Sequence, residues 1–321
     1  MNTNKSSNGN DQMGSKEPPA DYTQFNTRYD SEISTIWCNM HPVPRPCVNK
    51  NLIDELAHLQ KQLTATYKNQ HSDTVWPFRH FVLASQIPGI YSLGGDLSLF
   101  KKYITNKQED KLREYAHKCV NLLHNNIDNL DLPITTVSLI QGQALGGGFE
   151  MALSCDVIIA ERSSQLGFPE IMFNLFPGMG AYNLLTRRIG SSLAERIILS
   201  GKTYSATELY DMGVIDVVAD DGKGIQATEI YLKSHNQSHN TIRSMKKIRQ
   251  LVHPITQGML YEIVDIWVDA AMNLSEKDLA KMERLLHLQR DLKNSETLKE
   301  NDTSLTPRRG EWRKIKDVTF P

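Results

Sequence analysis

Uncharged apolar runs alternate with amphipathic stretches along this chain. Ile134-Thr-Thr-Val-Ser-Leu-Ile140 carries no charge, is rich in β-branched residues and is bounded by Pro133 and Gly142, so it reads as a buried strand. Similar runs predict strands over Glu32–Met40, Phe78–Ser85, Val157–Ala160 and Val214–Val218. Leu52, Leu56, Leu59 and Leu63 recur at helical spacing, as do Leu112, Tyr115, Ala116, Cys119, Leu122 and Leu123, which predicts helices over Asn51–Leu63 and 109–128. The proline-rich His41-Pro-Val-Pro-Arg-Pro46 between strand and helix must be extended. Later helices are expected over Glu150–Cys155, Ala181–Ile189 and Leu193–Leu199, the last ended by Gly201; Ser205 caps another that stops at Gly213.

Strand, glycine loop and helix recur in that order, which makes the fold α/β with the repeat spanning residues 25–222. Residues 1–24 are poor in apolar side chains and cannot offset their ordering entropy, so they are expected to be a disordered tail. Residues 223–321 change character: helical patterns dominate, broken at Pro254 and again near Asn273. Met259, Ile263 and Trp267 share a helical face, so Trp267 is a candidate lining residue of an apolar tunnel; a core or subunit-contact position fits the same spacing.

Composition narrows the classes without selecting one. A net charge of −1 over 321 residues makes no electrostatic case for nucleic acid or an anionic membrane. Cys38, Cys47, Cys119 and Cys155 lack paired spacing, which argues against a zinc site or a disulfide framework. No apolar run is long enough to span a bilayer and the first residues lack a signal-peptide core, so a cytoplasmic location is expected. Gly178-Met-Gly180 has no third glycine where a dinucleotide loop requires one, and no Gly-x-Ser-x-Gly elbow is present. No cofactor or metal is therefore expected. The basic groups Lys246-Lys247-Ile-Arg249 and Arg308–Lys316 are either solvated surface or a landing place for an acidic protein.

The candidate chemistry gathers around Gly146-Gly147-Gly148-Phe149-Glu150. A strand that enters three glycines and leaves as a helix uncovers backbone N–H groups in a region of positive potential. Glu170, in Gly167-Phe-Pro-Glu170, supplies a second carboxylate beside apolar residues. Together they fit a polarised carbonyl flanked by an acid/base pair whose pKa values Phe149, Phe168, Pro169 and Ile171 would push upward. Tight helix packing at the glycines, with Glu150 complementing the helix dipole, accounts for the same residues without chemistry.

The block from Gln141 to Arg188, with Ala144-Leu-Gly-Gly-Gly-Phe-Glu150, Ser154-Cys-Asp156, Phe168-Pro-Glu170 and Phe176-Pro-Gly-Met-Gly180, resembles the crotonase (enoyl-CoA hydratase/isomerase) superfamily. Ser92-Leu-Gly-Gly-Asp-Leu97 resembles that family's other glycine loop. The resemblance implies a spiral of ββα units followed by a C-terminal helical region that closes the acyl pocket and packs homo-oligomers, trimers or hexamers. It assigns the N–H groups of Leu93 and Gly147 to an oxyanion hole for a thioester carbonyl, and Glu150 and Glu170 to acid/base work at C2–C3.

Trp37-Cys-Asn-Met-His-Pro-Val-Pro-Arg-Pro-Cys47, Phe81–Ser85, Leu93–Leu97 and Gly167–Gly180 resemble, more narrowly, the bacterial synthases of diffusible signal factors, the cis-2-unsaturated fatty acids of quorum sensing. That resemblance implies dehydration of a 3-hydroxyacyl chain on acyl carrier protein and hydrolysis to the free acid. Glu170 would take the C2 proton and Glu150 protonate the departing hydroxyl, or the reverse. An ordinary enoyl-CoA hydratase stays open, as does a regulatory role in binding a signal-sensing histidine kinase.

Overall fold

The computed structural model describes residues 22–68, 78–235 and 238–287. Its larger sheet contains six strands: β1 (Phe25–Asp30), β2 (Thr35–Met40), β3 (His80–Ser85), β5 (Thr135–Ile140), β7 (Val157–Glu161) and β10 (Val217–Ala219), in that spatial order. All neighbours are parallel except β1, which returns antiparallel along β2. A smaller sheet orders β4 (Gly89–Ser92), β6 (Gly142–Leu145), β8 (Gln165–Gly167) and the antiparallel β9 (Thr203–Ser205).

The chain visits the two sheets alternately. Each of β3, β5 and β7 in the large sheet is followed by β4, β6 and β8 in the small one. A helical segment follows each pair: α2 (Leu97–Thr105) and α3 (Glu109–Ile127), then α4 (Gly147–Leu153), then a 3-10 turn at Pro169–Phe173. These are the expected ββα units. Because β4, β6 and β8 are parallel neighbours, their carboxyl ends lie side by side, and the segment after each end supplies part of one site.

Side-chain alternation matches this layering. In β7, Ile158 and Ala160 join the main core, whereas Val157 and Ile159 join a second cluster with Trp37, Val82, Val137, Leu139 and Leu232 on the opposite face of the large sheet. Helix α1 (Lys50–Lys68) buries Leu52, Leu56, Leu59 and Leu63, the stripe read from the sequence. After α5 (Ala181–Ile189), α6 (Ser191–Ser200) and α7 (Ala206–Asp211), the C-terminal region holds α8 (Gly224–His235), α9 (His239–Val252), α10 (Gln257–Met272) and α11, residues 276–287. Ser205 caps α7 in a reciprocal capping box with Glu208, and Gly201 ends α6 in the left-handed conformation.

Several expectations are corrected. The run Glu32–Met40 is not one strand: the chain turns at residues 31–34 and only Thr35–Met40 pairs, with β1 lying upstream. The last strand of the large sheet begins at Val217 rather than Val214; Val214 and Ile215 are buried in the preceding turn. The α4 helix starts at Gly147, three residues before Glu150. Of the tail assigned to residues 1–24, Tyr22–Gln24 are described and held: Glu55 accepts from Thr23 N–H at 3.0 Å and Gln24 N–H at 2.9 Å. The remainder of the tail and the basic group Arg308–Lys316 lie outside the described residues.

Candidate active site

A cavity partly open to solvent lies where the three small-sheet strands end. Leu93, Gly94 and Gly95 reach it after β4, Gly146, Gly147 and Glu150 after β6, and Pro169 and Glu170 after β8. Gly146 N–H donates to the Gly167 carbonyl at 2.9 Å, tying the second loop to the strand that delivers the third. Beyond the two glutamates the walls are apolar: Phe100, Ala116, Cys119, Phe173, Trp267 and Leu285 take part. The rings of Phe100 and Trp267 meet edge to face at 5.1 Å.

Glu150 is buried within the first turns of α4. Its Oε1 accepts hydrogen bonds from the backbone N–H of Met179 at 2.7 Å and of Ala181 at 3.0 Å. Burial raises its pKa to about 7, and those two N–H groups, which solvate the anion, hold the rise in check. Glu170 lies on the 3-10 turn, and its Oε2 is buried without a hydrogen-bond partner. Burial, together with the nearby Glu150 charge, raises its pKa to about 8. The N–H donors at Glu150 favour its anion, and the unpartnered oxygen of Glu170 favours its neutral form.

Gly146 makes room for this arrangement. A Cβ there would lie 2.2 Å from Glu170 Oε1, and the residue adopts φ +50°, a conformation that favours glycine. Only a residue without a side chain lets the second glutamate approach the second loop.

The two glycine loops converge. A Cβ on Gly147 would lie 3.4 Å from the Gly95 nitrogen, so the two backbones face one another across a van der Waals gap. Gly147 opens α4, and its N–H has no acceptor one turn earlier in the helix. Leu93 differs from its expected role: its N–H donates to the Pro46 carbonyl at 2.8 Å, inside the protein. In the bridge between Val48 and Gly95 it is Val48 N–H that bonds, to the Gly94 carbonyl at 2.8 Å, and the Gly95 N–H is not used. Among the described glycine-loop residues at the cavity, the N–H groups left without an acceptor are those of Gly95 and Gly147.

Trp267 lines the cavity, but the face expected for it does not. Helix α10 buries Leu260, Val264, Trp267, Val268 and Ala271, whereas Met259 is 40% exposed. Sequence reasoning missed the N–H donors of Met179 and Ala181, although the quoted Phe176-Pro-Gly-Met-Gly180 contains the first of them. It also missed Phe100 and Leu285, for which no local signal exists, because an apolar position on an amphipathic helix looks alike whether it meets core or ligand.

Residues 45–276 match the family model described as Enoyl-CoA hydratase/isomerase. The Arabidopsis thaliana protein described as "Probable enoyl-CoA hydratase 2, mitochondrial" is 28% identical over 232 residues, 71% of each chain. The mitochondrial methylglutaconyl-CoA hydratase of Homo sapiens is 31% identical over 176 residues, 55% of this chain and 47% of that one, so the match spans about half of the human enzyme. Among solved structures, an enoyl-CoA hydratase from Bacillus halodurans superposes with a TM-score of 0.69 at 21% identity, covering 82% of this chain and 100% of that one. Pseudomonas aeruginosa DspI superposes with a TM-score of 0.59 at 24% identity, covering 78% and 96%. At these identities the two structures speak to the fold.

Proposed function

Because this chain belongs to the enoyl-CoA hydratase/isomerase family, we propose that Glu150 and Glu170 exchange a proton and water with the C2–C3 bond of an acyl thioester held by the Gly95 and Gly147 N–H groups. The observation that carries this reading is the pair itself. Two carboxylates share one cavity with the two glycine loops, one solvated by N–H donors and one with an oxygen left bare.

The two N–H groups, which have no acceptor among the described residues, would donate to the thioester oxygen, which gains charge as C2 loses its proton. In a dry site such donors stabilise an enolate by several kcal/mol. Addition of water starts from the favoured protonation state: Glu150 takes a proton from water while Glu170 gives one to C2. Dehydration runs the exchange backwards, with Glu170 taking the C2 proton and Glu150 protonating the departing hydroxyl. Both directions need the pair to hold one proton in total.

The finer reading is a signal synthase: a 3-hydroxyacyl chain delivered by acyl carrier protein is dehydrated to the cis-2-enoyl thioester and released as the free acid by water. Its support is the residue-level resemblance at 37–47, 93–97 and 167–180, together with a cavity whose far wall is built from Phe100, Trp267 and Leu285, suited to an unbranched or branched alkyl chain. The hydratase reading is favoured by the names of the relatives.

Deuterium exchange at C2 of a 3-hydroxyacyl thioester in heavy water tests the division of labour. Glu170→Gln should lose exchange and turnover together, whereas Glu150→Gln should keep measurable exchange while losing elimination. Exchange retained in Glu170→Gln would remove that residue as the C2 base.

A further inference from the structure

The N–H of Gly95 is useful only if its direction is fixed, and the fixing comes from a segment outside the cavity. Arg45–Val48 runs beside Leu93–Asp96 and is joined to it at several points. The Pro46 carbonyl accepts from Leu93 N–H and the Gly94 carbonyl from Val48 N–H, each at 2.8 Å. The Tyr115 hydroxyl donates to the Val48 carbonyl and accepts from Asp96 N–H at 3.4 Å. Arg45 Nη2 donates to Asp96 Oδ1 at 2.6 Å. Both residues that flank Gly95 are therefore anchored, while Gly95 keeps its own N–H for a ligand.

Asp96 is the pivot of this arrangement. The same Oδ1 that meets Arg45 also caps α2 by accepting from Leu99 N–H at 3.2 Å. Its carboxylate thus ties the 45–48 segment, whose Val48 N–H holds the Gly94 carbonyl, to the start of α2 directly after Gly95. The Arg45 and Asp96 side chains are 20% and 13% exposed, so the pair is mostly withdrawn from water, where a charge-assisted hydrogen bond is directional and strong.

We propose that Arg45 is a positioning residue for the Gly95 donor. It does not line the cavity and touches no reacting atom. It holds Asp96 against the 45–48 segment, and Val48 of that segment holds the Gly94 carbonyl, the other end of the peptide unit that carries the Gly95 N–H. Without the guanidinium, Asp96 still caps α2 but is released from its neighbour, and the Gly95 N–H loses its fixed aim. The inference rests on the reading of Gly95 and Gly147 as an oxyanion site for a thioester.

The test compares wild type, Arg45→Met, which keeps the apolar stem, and Arg45→Lys, which restores a single donor for the single Nη2 contact. Two readouts are taken on the full chain: steady-state turnover of a 3-hydroxyacyl or 2-enoyl thioester, and amide hydrogen exchange over residues 93–97 by mass spectrometry. Arg45→Met should exchange faster there and lose about tenfold to hundredfold in kcat with KM little changed, the cost of a misaimed rather than absent donor. Arg45→Lys should recover part of both. Unchanged exchange over 93–97 overturns the proposal, and so does a lowered Tm with kcat per folded molecule within twofold of wild type. If wild type turns over no thioester, the functional reading falls, and the exchange rate still decides whether Arg45 fixes the loop.

Discussion

Glu150 and Glu170 are the same residue type lining one cavity, and their neighbours give them opposite electrostatic surroundings. Met179 and Ala181 N–H groups favour the Glu150 anion, while Glu170 Oε2 meets none. A buried carboxyl whose pKa is raised ionises more easily in the unfolded chain than in the folded one. Stability tied to neutral Glu170 is therefore complete below the unfolded value of about 4.3 and is lost as the pH climbs toward its folded value of about 8. Glu170→Gln, neutral at every pH, should be the more stable protein at pH 8 by roughly 1–3 kcal/mol and should lose that advantage by pH 4. Thermal scans of both proteins across this range check it; an advantage that does not change with pH would contradict the burial argument. The glutamates themselves were singled out in the sequence, but tight packing accounted for the same residues, and only the family resemblance assigned them acid/base work. The oxyanion donor was not legible. Which N–H of Leu93-Gly94-Gly95 stays unused depends on pairing with Pro46 and Val48, more than forty positions away in the sequence, and no local pattern carries that information.

At the scale of elements, the long amphipathic helices and the β-branched strands of the large sheet were readable, and the small sheet was not. Strands β4, β6 and β8 are only three or four residues long and include Gly89, Gly142 and Gly167, so period-two alternation has no room to show. Yet their ends place both glycine loops and both glutamates. The helix α10 shows the converse: its existence was plain, but apolar residues surround much of it, so the buried face was misjudged by one position, with Leu260 and Val264 taking the places expected of Met259 and Ile263. The junction of β6 and α4 has the tightest demand. Gly146→Ala should add a Cβ against Glu170 Oε1 and strain a positive φ, displacing that carboxylate. Turnover should fall by about a hundredfold or more with the protein still folded, as misplacement by about 1 Å can cost this much. Wild-type kcat in this variant would show that Glu170 does not need its observed position.

Across the whole molecule, the spiral and the C-terminal helices are joined at Asp156, between α4 and β7. Its carboxylate meets Lys246 at 2.6 Å and Arg249 at 2.9 Å, both from α9, and also accepts from Asn129 and from Thr136 N–H. Burial lowers the Lys246 pKa and the Asp156 charge opposes the shift, so removing the carboxylate would strand a buried cation. Asp156→Ala should cost about 2–4 kcal/mol of stability, seen as a lower urea midpoint, with Asp156→Asn losing less. An unchanged midpoint for Asp156→Ala would mean that the helical region is held elsewhere. The account of the whole stands or falls on the chemistry at C2–C3. The most direct measurement incubates the purified protein with matched 3-hydroxyacyl thioesters on acyl carrier protein and on coenzyme A, and identifies the products by mass spectrometry. Water lost from the acyl chain, with a cis-2-enoic acid released from the carrier protein, is the expected result; thioesters recovered unchanged on both carriers, in either direction of the reaction, would contradict it.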